Sequence, residues 1–339
     1  FLILSDNHNS VNGIREFCTR HGGKVEYVPV QYRDLQINSN YLNQRLAQGH
    51  NKAPKLFAFP AQSNVSGVKH SLHWIEKAQS YGYDVLLDAA AFVPSSQLDL
   101  SVWKPEFVSV SFYKIFGFPT GLGCLLVKKS VFPRMIKPWF AGGTVSLVSV
   151  ISPNRFLASN HERFEDGTLN YQMIPALKTG LEWIEGVDIT RITERIKSLS
   201  EYLVAGLKSL KHSNGADLVK LFGPETFEHR GGTIIMNYLD EDGKQFPLHR
   251  IESMANKARI SIRYGCFCNP GIDEINNDIS SSEISNYFMS HEKGDYFDMI
   301  EFLGKMRGSN RVSVGIATVR KDLDTFLSLV SALLNTKAT

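Results

Sequence analysis

The run Val108-Ser109-Val110-Ser111-Phe112-Tyr113-Lys114-Ile115-Phe116-Gly117 sets one lysine just past an apolar stretch that reads as a buried strand. A lysine in that position needs a chemical reason. A desolvated amine has a lowered pKa and becomes a nucleophile toward carbonyls. Upstream, Tyr83-Asp84-Val85-Leu86-Leu87-Asp88-Ala89-Ala90-Ala91 is a second apolar strand, ending in a carboxylate at Asp88. A lysine that condenses with an aldehyde and an acid that pairs with a pyridinium nitrogen are the two groups with which a protein holds pyridoxal 5'-phosphate.

Outward from these two strands the first half alternates strand and helix, as in a doubly wound parallel sheet. Phe1 to Ser5 reads as a strand, Asn9 as the cap of a helix running to about Arg20, and Lys24 to Val30 as a second strand. Pro54 to Pro60 gives another strand, and the region from Ser71 to Gln79 a helix. Ligands in such sheets bind beyond the carboxyl ends of the strands, and His8, Asn64, Asp88 and Lys114 all follow such ends. After Gly142-Gly143-Thr144 the character changes. Ala176 to Leu210 is helix-periodic, interrupted near Gly186-Val187-Asp188, and suits a connector. Short strands at 217–222, 232–238, 259–264 and 311–316 then mix with helices at 250–257 and 323–334, the pattern of a smaller α+β domain. The expected division is a large domain over 1–180 and a small one over 181–339. The polar stretch 276–305 reads as a long excursion able to move over a site.

With 339 residues, 43% of them hydrophobic, the chain can bury one or two substantial cores. Its formal net charge is only +3 and its basic residues are scattered, which argues against nucleic acid as a partner. No apolar run reaches the length of a membrane span, and Phe1-Leu2-Ile3-Leu4-Ser5 lacks the features of a signal peptide. The four cysteines are Cys18, Cys124, Cys266 and Cys268. The close pair lacks a second pair at zinc-ligand spacing, so reduced thiols in a cytoplasmic protein are expected, with no metal. The start without methionine, inside a strand, reads as a shortened N-terminus.

Six stretches carry a family resemblance: Asp6-Asn7-His8, Pro60-Ala61-Gln62-Ser63-Asn64, Leu87 to Val93, Ser111 to Gly123, Arg163 to Thr168, and Gly265-Cys266-Phe267-Cys268-Asn269-Pro270-Gly271. In this order they resemble the class V aminotransferase family of pyridoxal-phosphate enzymes of fold type I. The likeness is greatest to cysteine desulfurases and, among them, to the desulfurase-like domain of molybdenum cofactor sulfurases.

The resemblance implies a role for each residue. Lys114 would hold the cofactor as a Schiff base and shuttle protons at the substrate α-carbon. Asp88 would pair with the pyridine nitrogen, His8 would stack on the ring, and Asn64 would meet the ring hydroxyl and the substrate. Ser111 and Tyr113 would donate to the phosphate. Thr168 matches a threonine that the family supplies across a two-fold dimer, which implies a homodimer. The family pattern of arginine, any residue, glycine, two residues and cysteine maps onto Arg263-Tyr264-Gly265-Cys266-Phe267-Cys268 and selects Cys268. Its thiolate would take sulfur from L-cysteine, leaving alanine and a persulfide for an acceptor such as the molybdenum cofactor. Arg263 would orient substrate or lower the thiol pKa, and Arg311 would grip the substrate carboxylate. Ala91 stands where many desulfurases have glutamine, Asp273 stands where sulfurases have a further cysteine, and the family's upstream phosphate loop is missing. Two other readings stay open at this point: another reaction of the same cofactor on a different small amino acid, such as transamination, lyase or epimerase chemistry, and a non-catalytic dimerisation or sulfur-relay domain.

Overall fold

The computed structural model describes residues 1–32, 34–49, 53–224 and 226–338. Six strands form the main sheet: β1 (Leu2–Leu4), β2 (Glu26–Val28), β3 (Leu56–Pro60), β4 (Asp84–Asp88), β5 (Phe107–Ser111) and β6 (Gly123–Val127), in the spatial order β2-β1-β3-β4-β5-β6. The first five run parallel, and β6 is antiparallel at the edge. Parallel strands are covered on both faces and so read as continuous apolar runs. β1 is buried throughout, and so are Phe57, Ala58 and Phe59 of β3 and Val85 and Leu87 of β4. After β2 the chain crosses to the other side of β1 to lay down β3, which creates a topological switch point between β1 and β3.

The helices of this half are α1 (Asn9–Asn12), α2 (Ile14–Arg20), α3 (Ser39–Gln48), α4 (His73–Ser80) and the short α5 (Phe112–Phe116). The expected helix from Asn9 to Arg20 divides at Gly13, and its cap is His8 rather than Asn9: the His8 ring accepts from the Ser10 amide at 3.2 Å. A two-stranded ribbon, β7 (Val145–Val148) and β8 (Arg155–Leu157), projects beyond the sheet.

α6 (Ala176–Val187) passes through residue 180 and ends at Asp188, whose φ of +77° breaks the helical run. The same Asp188 caps α7 (Ile189–Ser209) by accepting from the Thr190 amide at 2.8 Å. One stripe of α7, including Leu203, Val204 and Leu207, packs on a four-stranded antiparallel sheet. That sheet consists of β9 (Val219–Leu221), β10 (Thr233–Tyr238), β11 (Arg263–Gly265) and β12 (Ser309–Ser313), in the order β11-β12-β10-β9. The remaining helices are α8 (Leu248–Lys257), α9 (Pro270–Asn276), α10 (Ser281–Ser290), α11 (Tyr296–Leu303) and α12 (Arg320–Ser331). The stretch 276–305, expected as a long polar excursion, takes the form of a helical hairpin. Capping boxes at Ser280/Glu283 and Asp295/Asp298 start its two helices. Among the described residues no helix is long and apolar enough to cross a membrane.

The two sheets meet beside the switch point. Gly231 donates its amide to the Gly67 carbonyl at 2.8 Å, and Asn9 donates to the Cys268 carbonyl at 2.7 Å. The core around the large sheet also takes in Phe267 and Ile272 of the C-terminal half. The thiol loop is therefore built into the junction.

Candidate active site

A cleft of about 490 Å³ opens at this junction, lined by His8 and Asn64 from one side, Tyr113 and Lys114 from another, Arg263 and Arg311 from the small sheet, and Cys268 from the loop after β11. Ile184, Ile192 and Ile196 form an apolar wall. A larger cavity, about 720 Å³, lies between Tyr32, Lys208 and β9 and contains none of these groups. The smaller cleft is the one where nucleophilic and titratable groups converge, which outweighs size in choosing between them.

His8 enters the cleft as the residue that follows β1 and caps α1. Its pKa is lowered from the ordinary 6.5, first by burial and then by the positive charge of Lys114, while Asp88 opposes the shift. The ring is therefore neutral near neutral pH, the form suited to stacking on a flat aromatic ligand. Asp88, the last residue of β4, accepts at Oδ1 from Ser109 Oγ at 2.9 Å and from the Ala90 amide at 3.0 Å. Its second oxygen has no hydrogen-bond donor among the described residues, so a carboxylate face is left for a ligand.

Lys114 lies on α5 and is exposed. This differs from the buried, desolvated amine that the apolar run suggested. The outer neighbour of β5 is the edge strand β6, whose Leu125 and Leu126 are themselves exposed, so the lysine that follows β5 is left open. Ser111 closes β5, and Tyr113 stands beside the lysine with its ring centre 6.0 Å from Lys114 Nζ. Thr168 is exposed in an irregular stretch after Gly167 and does not line the cleft of its own chain.

Asn64 is more occupied than expected. Its Nδ2 donates to the Phe267 carbonyl at 2.9 Å, and its Oδ1 accepts from Asn269 at 3.1 Å. Its backbone carbonyl accepts from Arg311 Nη1 at 2.8 Å. Arg311 lies opposite Arg263 in the β11–β12 register. Burial and, second, the like charge of Arg263 bring the Arg311 pKa down to about 10, and its buried Nε has no partner among the described residues. A guanidinium held this way, beside another cation and facing a cleft, is a receptor for an anion.

Of the two neighbouring cysteines, Cys268 is exposed and lines the cleft, whereas Cys266 is half-buried and burial raises its pKa. Asp273, the departure noted in the sequence, is a buried partner of Arg307, whose Nε donates to it at 2.8 Å. Gln62 was quoted in the sequence motif without a role, and it lines the cleft with its side-chain oxygen buried and unpartnered among the described residues. The apolar wall from α6 and α7 was also missed, since nothing in a helical stripe tells which cleft it will border.

The family model for aminotransferase class-V matches residues 1–326. Curated relatives include molybdenum cofactor sulfurase 3 of Aedes aegypti, 38% identical over 97% of this chain and 45% of its own length. The molybdenum cofactor sulfurase of Homo sapiens is 36% identical over 97% of this chain and 38% of its own. The chain thus spans less than half the length of these relatives. Among solved structures, the apo cysteine desulfurase from Thermococcus onnurineus NA1 superposes with a TM-score of 0.76 at 21% identity, covering 98% of this chain and 72% of that one. The cysteine desulfurase CsdA from Escherichia coli gives 0.75 at 18%, covering 98% and 71%.

Proposed function

The chain belongs to the aminotransferase class-V family, and from that premise we propose that it is a pyridoxal 5'-phosphate enzyme that takes sulfur from L-cysteine onto Cys268. The observation that carries this reading is the meeting, in one cleft, of an imidazole, a lysine and a paired guanidinium with an exposed thiol. The residues fit the cofactor. Asp88 keeps one carboxylate oxygen unengaged for a pyridinium nitrogen, His8 is neutral for stacking, and the Lys114 amine has no carboxylate partner among the described residues. The cleft also lies within the range of small-molecule sites, roughly 300–1,000 Å³.

When bound, pyridoxal phosphate supplies an electron sink that makes the α-carbon of an amino acid acidic. Lys114 moves the proton at that carbon, and Arg311 holds the substrate carboxylate while Arg263 keeps the region positive. Ser111 and Tyr113 are the donors this chain offers the phosphate. The Cys268 thiolate attacks the sulfur of L-cysteine, so that an S–S bond forms as the substrate C–S bond breaks. The bonding pair stays with carbon and is taken up with a proton. L-cysteine and the thiol become L-alanine and a Cys268 persulfide, with no outside oxidant.

The names of the relatives support the molybdenum cofactor as the eventual sulfur acceptor. A homodimer accounts for the exposed Thr168, which would complete the partner's cleft, and for the apolar side chains Leu147, Val150, Ile151 and Phe156 on the β7–β8 ribbon.

Visible absorption spectra with added pyridoxal phosphate, recorded before and after L-cysteine, test the reading. A band that shifts with cysteine and is absent in Lys114→Ala is expected. Cys268→Ser should lose the persulfide detected by mass spectrometry; alanine formation at the original rate without Cys268 would instead favour a different reaction of the same cofactor.

A further inference from the structure

The thiol loop is held in an unusual shape. Phe267 and Cys268 have φ of +56° and +55°, a left-handed conformation that is unfavourable for residues with a Cβ and persists only when the surroundings over-determine it. The surroundings that do so form a buried polar cluster behind the cleft. Asn269 is fully buried, and its Nδ2 donates both to Asp6 Oδ1 at 2.6 Å and to Asn64 Oδ1 at 3.1 Å. Asp6, also fully buried just beyond β1, accepts from Ser63 Oγ at 2.8 Å and faces His70 Nε2 at 3.0 Å.

From this cluster Asn64 Nδ2 donates to the Phe267 carbonyl, and from the start of α1 the Asn9 amide donates to the Cys268 carbonyl. Gly271, just after the loop, lies so close to the residue before Asp6 that a Cβ there would be 2.2 Å from the Ser5 carbonyl oxygen. The cap of α9 uses only the Asn269 Oδ1, which accepts from the Ile272 amide at 3.4 Å; Asp6, Asn64, Ser63 and His70 take no part in it. A buried carboxylate answered by neutral donors and a histidine, with no lysine or arginine paired to it among the described residues, is an expensive arrangement for a role in packing alone.

We infer that Asp6 and Asn269 are positioning residues for the Cys268 thiol: the Asp6–His70 pair anchors Asn269, and Asn269 with Asn64 locks the loop so that the thiol faces the cleft. The inference rests on the reading of Cys268 as the sulfur-accepting thiol. Attack on sulfur demands a narrow approach geometry, and a loop free to leave its left-handed turn loses it without affecting how the amino acid enters.

The test uses the full chain loaded with pyridoxal phosphate, as wild type, Asn269→Ser and Asp6→Asn. Serine preserves the cap of α9 but cannot reach Asp6 and Asn64; asparagine preserves the volume at residue 6 but not the charge. Both variants should show at least tenfold faster amide exchange at Asn9, with exchange in β3 unchanged. Persulfide formation should fall at least tenfold in kcat with KM for L-cysteine within twofold, and the cysteine-dependent spectral shift should be preserved. Wild-type exchange at Asn9 in both variants, or wild-type kcat despite faster exchange, overturns the inference. A wild-type protein that forms no persulfide on Cys268 overturns the functional reading instead, and the Asn9 exchange then still decides whether Asp6 and Asn269 anchor the loop.

Discussion

Burial lowers the His8 pKa, Lys114 lowers it further, and Asp88 pulls it back. This ordering yields an expectation for each neighbour. Lys114→Met should raise the His8 midpoint followed by NMR, and Asp88→Asn should lower it; equal midpoints in all three proteins would mean the groups do not share a field. The linked effect on stability has a defined sign. Because the folded-state pKa lies below the unfolded 6.5, the contribution of neutral His8 is complete above about 6.5 and is lost as pH falls through the lower folded value. The strand ends pointed to Asp88 and Lys114, and the family resemblance added His8 and Cys268. Neither showed that Asn64 spends its carboxamide on the thiol loop, because that bond joins residues far apart in the chain.

The α10–α11 hairpin shows how an element can be polar and still ordered. Glu283 is held at about 2, against an ordinary 4.5, chiefly by Lys305 and then by the Ser280 amide and hydroxyl. Its contribution is complete above about 4.5 and lost as pH falls toward about 2. Amide exchange in α10 should therefore accelerate across that window, and Lys305→Met should flatten the dependence. Ser280→Ala removes the cap and should destabilise the hairpin by about 1 kcal/mol in a denaturant titration. The Ser280-x-x-Glu283 spacing was present in the sequence as a helix start, but the surrounding polar residues masked it because the hairpin buries few apolar side chains: Tyr287 in α10 and Met299 in α11.

At the scale of the whole molecule, the face carrying the β7–β8 ribbon is the least finished part of the chain. Val150 is 100% exposed and Ile151 98%, at the tip of the ribbon. Sedimentation velocity should show a dimer at micromolar concentration, and the double substitution Val150→Lys/Ile151→Lys should shift it to monomer while the spectrum with pyridoxal phosphate is retained. A wild type that stays monomeric would remove both the dimer and the role proposed for Thr168. A closed two-fold dimer, the assembly proposed, would sediment at a fixed dimer value, whereas open association would give a value that keeps rising with concentration.

Strand runs such as Leu56–Pro60 and Asp84–Asp88 announced a covered parallel sheet by themselves, because strands buried on both faces must be apolar at nearly every position. The helical run of 176–210 and its break near Asp188 were legible for the same kind of reason, a local preference expressed in local spacing. The order of the strands, the switch point between β1 and β3, and the differing exposures of Lys114, Cys266 and Cys268 were decided only in three dimensions. Each depends on which distant segment covers a given surface. Burial and hydrogen bonding to remote partners set the reactivity of a side chain, and neither is encoded in its immediate neighbours.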